Sequence, residues 1–247
     1  MVTQPAGHAG GSLTVVCSDS ARNGKTLFAK LLADLMRLRT GVVPHLFDTD
    51  EPDGDLIHHY GGLAGGAGQI VDLARTRQQV ALFDSVIGEP SRHFLLDLSA
   101  RHRGRFFRIA HDIAFEDGVE EAGTMLRIFY VLDRDQASVD HAAELRTRFP
   151  RADFTTVRNG AIGDCLDDVQ ALATYQAMRL EREVLLPALS GVALGWLEEP
   201  SFHFDDFLAG RYDTTIDFDT RAELWGFLET MYAQRGPEDD AGAAPVV

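Results

Sequence analysis

Short apolar runs alternate with helical stretches along this chain, and that alternation constrains its fold more than any other feature. Apolar runs predict strands at 13–17, 42–47, 94–98, 127–132 and 154–158, with a candidate sixth at 192–197. Helical patterns fall at 26–39, 69–86, 101–116, 136–148, 165–188 and 219–235. Strands that alternate with helices form βαβ units, so the sequence predicts an α/β fold with a mostly parallel sheet and helices on both faces.

The length of 247 residues suits a single large domain, which we place at 12–235. The glycine-rich residues 1–11 and the acidic residues 236–247 are predicted to be flexible tails. A further glycine-rich stretch, 61–68, predicts a mobile loop. No apolar run reaches the roughly 20 residues of a membrane span, and no secretory signal is evident at the start. We therefore expect a cytoplasmic protein.

The charge of the chain restricts its partners. The formal net charge is −15, and such a field repels phosphates, which disfavours non-specific DNA binding. Only Lys25 and Lys30 are lysines among the 23 basic residues. A lysine in a chain that otherwise uses arginine favours a role for a compact ammonium group, such as contact with phosphate oxygens.

The first predicted strand is followed by a loop, by Gly24-Lys25-Thr26 and by a helix. In a P-loop the backbone N–H groups wrap a phosphate, the lysine reaches the β- and γ-phosphates, and the hydroxyl binds Mg²⁺. Asp19 stands where the full P-loop pattern has glycine, and a chance Gly-Lys-Thr at a helix start is the alternative. The predicted nucleotide contacts are Ser20, Ala21, Arg22, Asn23, Gly24, Lys25, Thr26 and Leu27.

Carboxylates end the next two predicted strands. Asp48 and Asp50 lie two residues apart, so in extended geometry they point to the same side, where they would bind Mg²⁺ or orient a water. The alternative is a solvated acidic turn, since residues 51–55 resemble a turn. Asp97 ends the third run as a metal-binding aspartate does in P-loop proteins, and a helix-capping carboxylate is its alternative.

These motifs together resemble the ParA/MinD family of P-loop ATPases, whose fold is a three-layer sandwich. The resemblance implies binding of ATP with Mg²⁺, slow hydrolysis, a possible homodimer, and a nucleotide-gated switch that partitions or positions a partner. It assigns water orientation to Asp48, and it assigns the metal to Thr26, Asp50 and Asp97. It also implies a place near adenine for Asn159, whose alternative is a plain turn residue.

The sequence departs from the family's pattern in the loop that follows the first predicted strand. The family's signature lysine would fall at Ser20, and its two glycines at Ala21 and Arg22. Arg22 could supply the missing positive charge from within the same loop, as an arginine finger does.

A cluster of four arginines, at residues 101–108, follows the third run in this acidic chain. One interpretation is a surface that docks an acidic protein partner or DNA, for which charge reversal at Arg103 and Arg105 would weaken capture and leave nucleotide binding intact. The alternative is an amphipathic helix with Phe106, Phe107 and Ile109 inward. The acidic C-terminal region predicts no membrane-binding helix.

Two other functions stay open on the sequence. One is an ATP-dependent phosphotransferase or synthetase that uses a small substrate near residues 53–68. The other is a scaffold that binds nucleotide without useful catalysis.

Overall fold

The computed structural model describes residues 10–52, 54–61, 68–162, 174–176 and 182–234. Within these residues, seven parallel strands form one sheet in the order β3-β2-β4-β1-β5-β6-β7. The predicted tails, apart from residues 10 and 11, and most of the helix predicted at 165–188 lie outside the described residues. The strands are β1 Ser12–Ser18, β2 His45–Asp48, β3 Gly68–Ile70, β4 His93–Asp97, β5 Met125–Val131, β6 Asp153–Asn159 and β7 Glu183–Leu186.

Helices cover both faces of the sheet. In the described residues they are α1 Lys25–Thr40, α2 Asp55–Tyr60, α3 Thr76–Gly88, α4 Ala100–Asp112, α5 Phe115–Glu121, α6 Gln136–Arg148, α7 Gly191–Glu198, α8 Phe204–Leu208 and α9 Phe218–Ala233. A short 3₁₀ turn, Gly160–Ile162, follows β6.

Two hydrophobic clusters separate the layers. Leu13, Val15 and Cys17 of β1 face one cluster, which contains the buried side chains of α3, α4, α5 and α6. Val16 faces the other cluster, together with the buried side chains of α1, α2, α7, α8 and α9. Because both faces of the central strands are buried, unbroken apolar runs mark them in the sequence. The predicted parallel sheet between two helical layers is confirmed.

The register brings the carboxyl ends of three strands to one edge. Asp97 of β4 pairs with Val16 of β1 on one side and with Asp48 of β2 on the other. The loops that follow these strands therefore meet above the same edge, where parallel α/β sheets bind ligands.

The strand prediction at 192–197 is wrong. These residues form most of α7, whose first turn is capped by the Ser190 hydroxyl as it accepts the Ala193 amide. Periodicity cannot separate a six-residue apolar run in a strand from one in a buried helix. The seventh strand, β7, instead lies inside the stretch predicted as helix at 165–188.

Two further helix predictions differ from the structure. The helix predicted from residue 69 begins at Thr76, because Gly68–Ile70 pairs with β2 as an edge strand. The helix predicted at 101–116 is two helices, α4 and α5, and Ala114 between them has a left-handed φ of 53°. The short helices α2 and α8 carried no sequence signal.

None of the helices in the described part of the chain has the length and apolar character needed to cross a bilayer.

Candidate functional site

The loop between β1 and α1 requires a glycine at its last position. Gly24 precedes α1 with a φ of +92°, and a Cβ there would lie 2.4 Å from the Asn159 side-chain nitrogen. Gly24 also has no side chain that could cap the helix, so the amides of the first turn keep their hydrogen-bonding capacity. This is the backbone arrangement that binds phosphate at a helix N-terminus.

Asp97 binds both polar residues of the Gly-Lys-Thr motif. Its Oδ1 lies 3.1 Å from the Lys25 ammonium nitrogen, and its Oδ2 accepts the Thr26 hydroxyl at 2.7 Å. The two side chains of the ion pair are 7% and 1% exposed. Burial lowers the pKa of Lys25, but Asp97, with smaller help from Asp50 and Asp48, raises it above its ordinary value. The ammonium group therefore stays charged.

The two aspartates at the end of β2 have different surroundings. Asp48 is buried, and its two oxygens each accept a backbone amide at 2.9 Å, from Asp50 and from Leu56. Burial, and then the negative charge of Asp97, raise the pKa of Asp48 to about 6. Asp50 is exposed and lines the cleft described below. Asp48 thus shapes the turn, while Asp50 is accessible to a ligand.

Thr49, for which the sequence suggested no role, fixes the distance between these strands. Its hydroxyl donates to the Asp97 carbonyl at 3.1 Å and accepts the Ser99 amide at 2.7 Å. The carboxylates that end β2 and β4 are therefore held in a set geometry.

Asp19, the departure from the P-loop pattern, binds groups behind the loop. Its carboxylate contacts the Arg103 guanidinium at 2.5 Å, accepts the Tyr130 hydroxyl at 2.6 Å and lies 3.1 Å from the His141 ring. The Arg103 guanidinium also lies over the Tyr130 ring, 5.6 Å from its centre. A carboxylate in the loop is tolerated because its charge is compensated away from the phosphate position.

Two asparagines anchor the same loop. The Asn23 side chain donates to the Asp133 carboxylate at 3.2 Å and, more weakly, to the Val131 carbonyl at 3.4 Å. The Asn159 side chain donates to the Asn23 carbonyl at 2.9 Å. The loop is therefore tied to the ends of β5 and β6.

A cleft of about 610 Å³ opens above these residues, a size within the range of small-molecule sites. The predicted site residues that line it are Ala21, Arg22, Gly24, Lys25, Thr26, Leu27, Asp50 and Asn159. Asp97 does not line the cleft itself, but its two partners, Lys25 and Thr26, do. Ser20, Asn23 and Asp48 do not line it, and the Ser20 carbonyl accepts the Ser18 hydroxyl at 2.8 Å.

Sequence reasoning missed the other wall of the cleft. The remaining lining residues are Asp55, Ser99, Ala100, Arg101, Ala161, Ile162, Pro187, Leu189, Leu194 and Glu198. Arg101 belongs to the arginine cluster that the sequence did single out, though for partner binding. The others come from short segments far apart in the sequence, and no local pattern connects them.

The oxygen atoms at the cleft suit a magnesium ion that is held mainly by phosphate and water. Within the described segments, no three His, Cys, Asp or Glu side chains are grouped to hold a metal. The Thr26 hydroxyl and the Asp97 and Asp50 carboxylates instead offer a few hard oxygen ligands on one side of the cleft. Mg²⁺ sites in phosphate-binding proteins have this partial protein shell.

The arginine cluster of α4 is partly engaged within the protein. Phe106 and Phe107 are buried, as the amphipathic interpretation predicts. Arg103 binds Asp19, and Arg105 donates to the Thr76 hydroxyl at 2.9 Å. Charge reversal at Arg103 would place a carboxylate against Asp19, behind the loop. Charge reversal at Arg103 would therefore disturb the loop as well as the surface, so this variant does not test partner capture alone.

No protein-family model matches the sequence, and no curated protein matches it either. Solved structures do match. A ParA family ATPase from Chlorobium tepidum TLS has a TM-score of 0.51 at 11% identity, over 87% of this chain and 96% of that chain. The chain has a ParA-like P-loop fold. The resemblance seen in the motifs is confirmed at the level of fold.

Two further matches have lower structural similarity to this chain. A nucleotide-binding protein from Archaeoglobus fulgidus, solved in complex with ADP, has a TM-score of 0.46 at 13% identity, over 96% of this chain and 93% of that chain. Chloroplast FtsY from Physcomitrella patens has a TM-score of 0.48 at 16% identity, over 76% of this chain and 63% of that chain.

Proposed function

We propose that the protein binds ATP with Mg²⁺, hydrolyses it slowly, and acts as a nucleotide-gated switch on a partner. One observation carries the proposal. Lys25 and Thr26 converge on Asp97 beneath a cleft of about 610 Å³, directly at the start of a helix without a side-chain cap. A buried ammonium, a hydroxyl and free helix amides at one point make a site for a polyphosphate.

Each residue has a role that follows from its position. Lys25 neutralises charge on the terminal phosphates, while Thr26 and Asp97 would hold the metal. The amides of residues 24–27 hydrogen-bond the phosphate oxygens. Arg22 is exposed, lines the cleft and adds a positive charge from within the loop. The bound Mg²⁺ supplies neutralisation of the charge on the β- and γ-phosphates.

Asp48 and Asp50 are the two candidates for the residue that orients the attacking water. The resemblance assigns this role to Asp48, but both its oxygens accept backbone amides and it does not line the cleft. We therefore assign the water to Asp50, and we assign to Asp48 the holding of the turn that carries Asp50. In a hydrolysis assay, Asp50→Asn should then abolish turnover while nucleotide still binds. Asp48→Asn should lower the stability of the turn as well as turnover.

Helix α4 carries the surface that is proposed to bind the partner. Arg101 contacts the Thr49 carbonyl at 3.4 Å and lines the cleft, so α4 touches both the site and the solvent. Arg108, exposed near the end of α4, can contact an acidic protein partner. Charge reversal at Arg108 should weaken such capture without affecting the loop. The net charge still disfavours binding to DNA. The proposal also includes a cytoplasmic location and a homodimer that closes over the bound nucleotide.

A calorimetric titration with a non-hydrolysable ATP analogue and Mg²⁺ tests nucleotide binding. The natural chain should bind, and Lys25→Ala should weaken binding about 100-fold, since a hydrogen bond to a charged group contributes up to about 3 kcal/mol. Lys30→Ala is the matched control, because Lys30 is the other lysine of α1 and does not line the cleft. Absence of binding, or equal affinity of the Lys25 variant, would contradict the proposal.

Arg22→Ala tests the arginine within the loop. It should lower both nucleotide affinity and turnover, because it removes the exposed positive charge nearest the phosphates. If neither quantity changes, Arg22 has no part in the site.

A second candidate function is favoured by a cavity beside the cleft. This cavity, of about 250 Å³, shares Thr26, Leu27 and Asp55 with the cleft and is also lined by Lys30 and His58. It would place a small acceptor molecule next to the terminal phosphate, as a phosphotransferase or synthetase requires. Turnover that appears only after a small molecule is added would favour this function. Binding without any phosphate release would instead favour the scaffold.

A further inference from the structure

Helix α9 exposes three aromatic side chains in a row. Phe218, Trp225 and Tyr232 are 75%, 44% and 37% exposed. Residues seven positions apart lie on nearly the same face of a helix, so the three rings form one stripe about 21 Å long. We call Phe218, Trp225 and Tyr232 the aromatic stripe. Clustered exposed aromatic groups on a folded domain mark a surface that another molecule covers.

The helix that carries the aromatic stripe is firmly attached to the fold. Its opposite face buries Leu224, Phe227, Leu228 and Met231 in the core. Its end is tied down where the Gln234 side chain donates to the Leu185 carbonyl at 2.8 Å. The exposure of the aromatic stripe is therefore a property of a fixed surface.

The sequence of α9 is complementary to itself when reversed about Trp225. In an antiparallel pair of α9 helices centred on Trp225, Phe218 lies opposite Tyr232 of the second copy, at the same height along the helix. Arg221 of each copy lies opposite Glu229 of the other copy, so two opposite-charge pairs flank the rings. Ala222 and Gly226 are small and exposed, which lets two helices approach closely.

We propose that the aromatic stripe is the interface of a homodimer in which two α9 helices pack antiparallel about Trp225. The occupant is a second copy of this chain, because the charge pattern of the face matches its own reverse. A two-fold interface of this kind is the commonest in homo-oligomers. No residue of α9 lines the nucleotide cleft, so this association does not depend on nucleotide.

The charge of the same face argues against other occupants. Asp219 is exposed next to Phe218 in the sequence, Glu229 lies beside the aromatic stripe, and the whole chain carries a net charge of −15. Such a surface repels nucleic acid and anionic lipid headgroups. Pairing with Arg221 of a second copy compensates one of these carboxylates in each direction.

Sedimentation velocity without nucleotide, over about 5 to 200 µM protein, tests the interface. We expect a concentration-dependent dimer, and Trp225→Ser should raise the dimer dissociation constant about tenfold or more, because central aromatic residues dominate such interfaces. Val80→Ser on α3 is the control, since Val80 is 41% exposed on the other helical layer. A chain that stays monomeric throughout, or dimerises only with nucleotide, would overturn the proposal, and so would an unaffected Trp225 variant.

Complementation between charge variants tests the antiparallel register. Arg221→Glu alone and Glu229→Arg alone each place like charges opposite each other in both positions of their own dimer. A mixture of the two variants restores two opposite-charge pairs, so it should form a heterodimer when neither variant associates by itself. Thermal melts confirm that each variant is folded, since Arg221 also contacts Asp213 at 3.1 Å. A mixture that associates no better than its components would refute the register.

Discussion

Two buried carboxylates lie beside α1, and they differ in what they can do. Asp97 is at the start of the helix, where it pairs with a lysine and a hydroxyl that both line the cleft. Asp34 lies in the middle of the helix, where it accepts the Tyr60 hydroxyl at 2.7 Å and the Phe204 amide at 2.9 Å. Both side chains are almost fully removed from water.

The difference lies in the partners. The partners of Asp97 are an ammonium group and a hydroxyl that both line the cleft, so a ligand in the cleft can reach them. The partners of Asp34 are a buried phenol and a backbone amide that hold α2 and α8 against α1. Burial of a charge therefore does not identify a functional site, whereas access of its partners to a cleft does.

The largest expected effect on stability comes from substitution of Asp97. Asp97→Ala leaves the Lys25 ammonium buried without its counter-ion, which should lower the free energy of unfolding by about 3 kcal/mol. Without Mg²⁺, where Asp97 has no metal to hold, the ATP analogue should recover part of this loss, since phosphates supply the missing negative charge and binding stabilises the folded state. Urea unfolding with and without the analogue measures both effects. Equal stability losses in the two conditions would argue against a phosphate site at Lys25.

The corresponding change at Asp34 should separate stability from binding. Asp34→Ala leaves the Phe204 amide without a partner and removes one of the two acceptors of the Tyr60 hydroxyl, which should cost about 2 kcal/mol of unfolding free energy. Affinity for the ATP analogue should stay within about twofold, because Asp34 does not line the cleft. If this variant loses nucleotide affinity in proportion to its loss of stability, the proposed distinction between the two carboxylates fails.

A third carboxylate, Asp19, is intermediate, because it belongs to the loop between β1 and α1 but binds residues behind it. Arg103→Ala should weaken nucleotide binding about tenfold, or about 1.4 kcal/mol, by releasing Asp19 towards the phosphates. Asp19→Asn in the same background should then restore most of the affinity, because it removes the negative charge that the loss of Arg103 released. Arg105→Ala on the same helix is the control and should bind normally. Independent losses at Arg103 and Asp19 would contradict the coupling.

The sequence predicted the parts of the molecule whose signal is local. The buried strands β1, β4, β5 and β6 are unbroken apolar runs, and Gly24-Lys25-Thr26 with its aspartates is a short motif. The short strand β3 has three exposed residues and no apolar run to mark it. Contacts such as Asp34 with Phe204, 170 residues apart, or Asp19 with Arg103 depend on the packing of distant helices. No periodicity or spacing encodes them.

The smallest expected effect concerns the pH dependence of stability at Asp34. Burial raises the pKa of Asp34 to about 6, although its hydrogen bonds from Phe204 and Tyr60 oppose the shift. An aspartate whose folded pKa exceeds its unfolded value of about 3.9 stabilises the fold at low pH, and this contribution is lost as pH rises through about 6. The neighbouring Asp205 adds a small upward shift, which Arg37 opposes.

The natural chain should therefore gain stability relative to Asp34→Asn as pH falls from 7.5 to 5.5, by about 1 kcal/mol. Burial lowers the pKa of the nearby His203, but this residue is present in both chains, so its titration largely cancels in the difference. Urea unfolding at the two pH values measures the change, with the exposed Asp84→Asn on α3 as control. If the difference stays constant or reverses, Asp34 does not carry the raised pKa, and its contrast with Asp97 rests on hydrogen bonds alone.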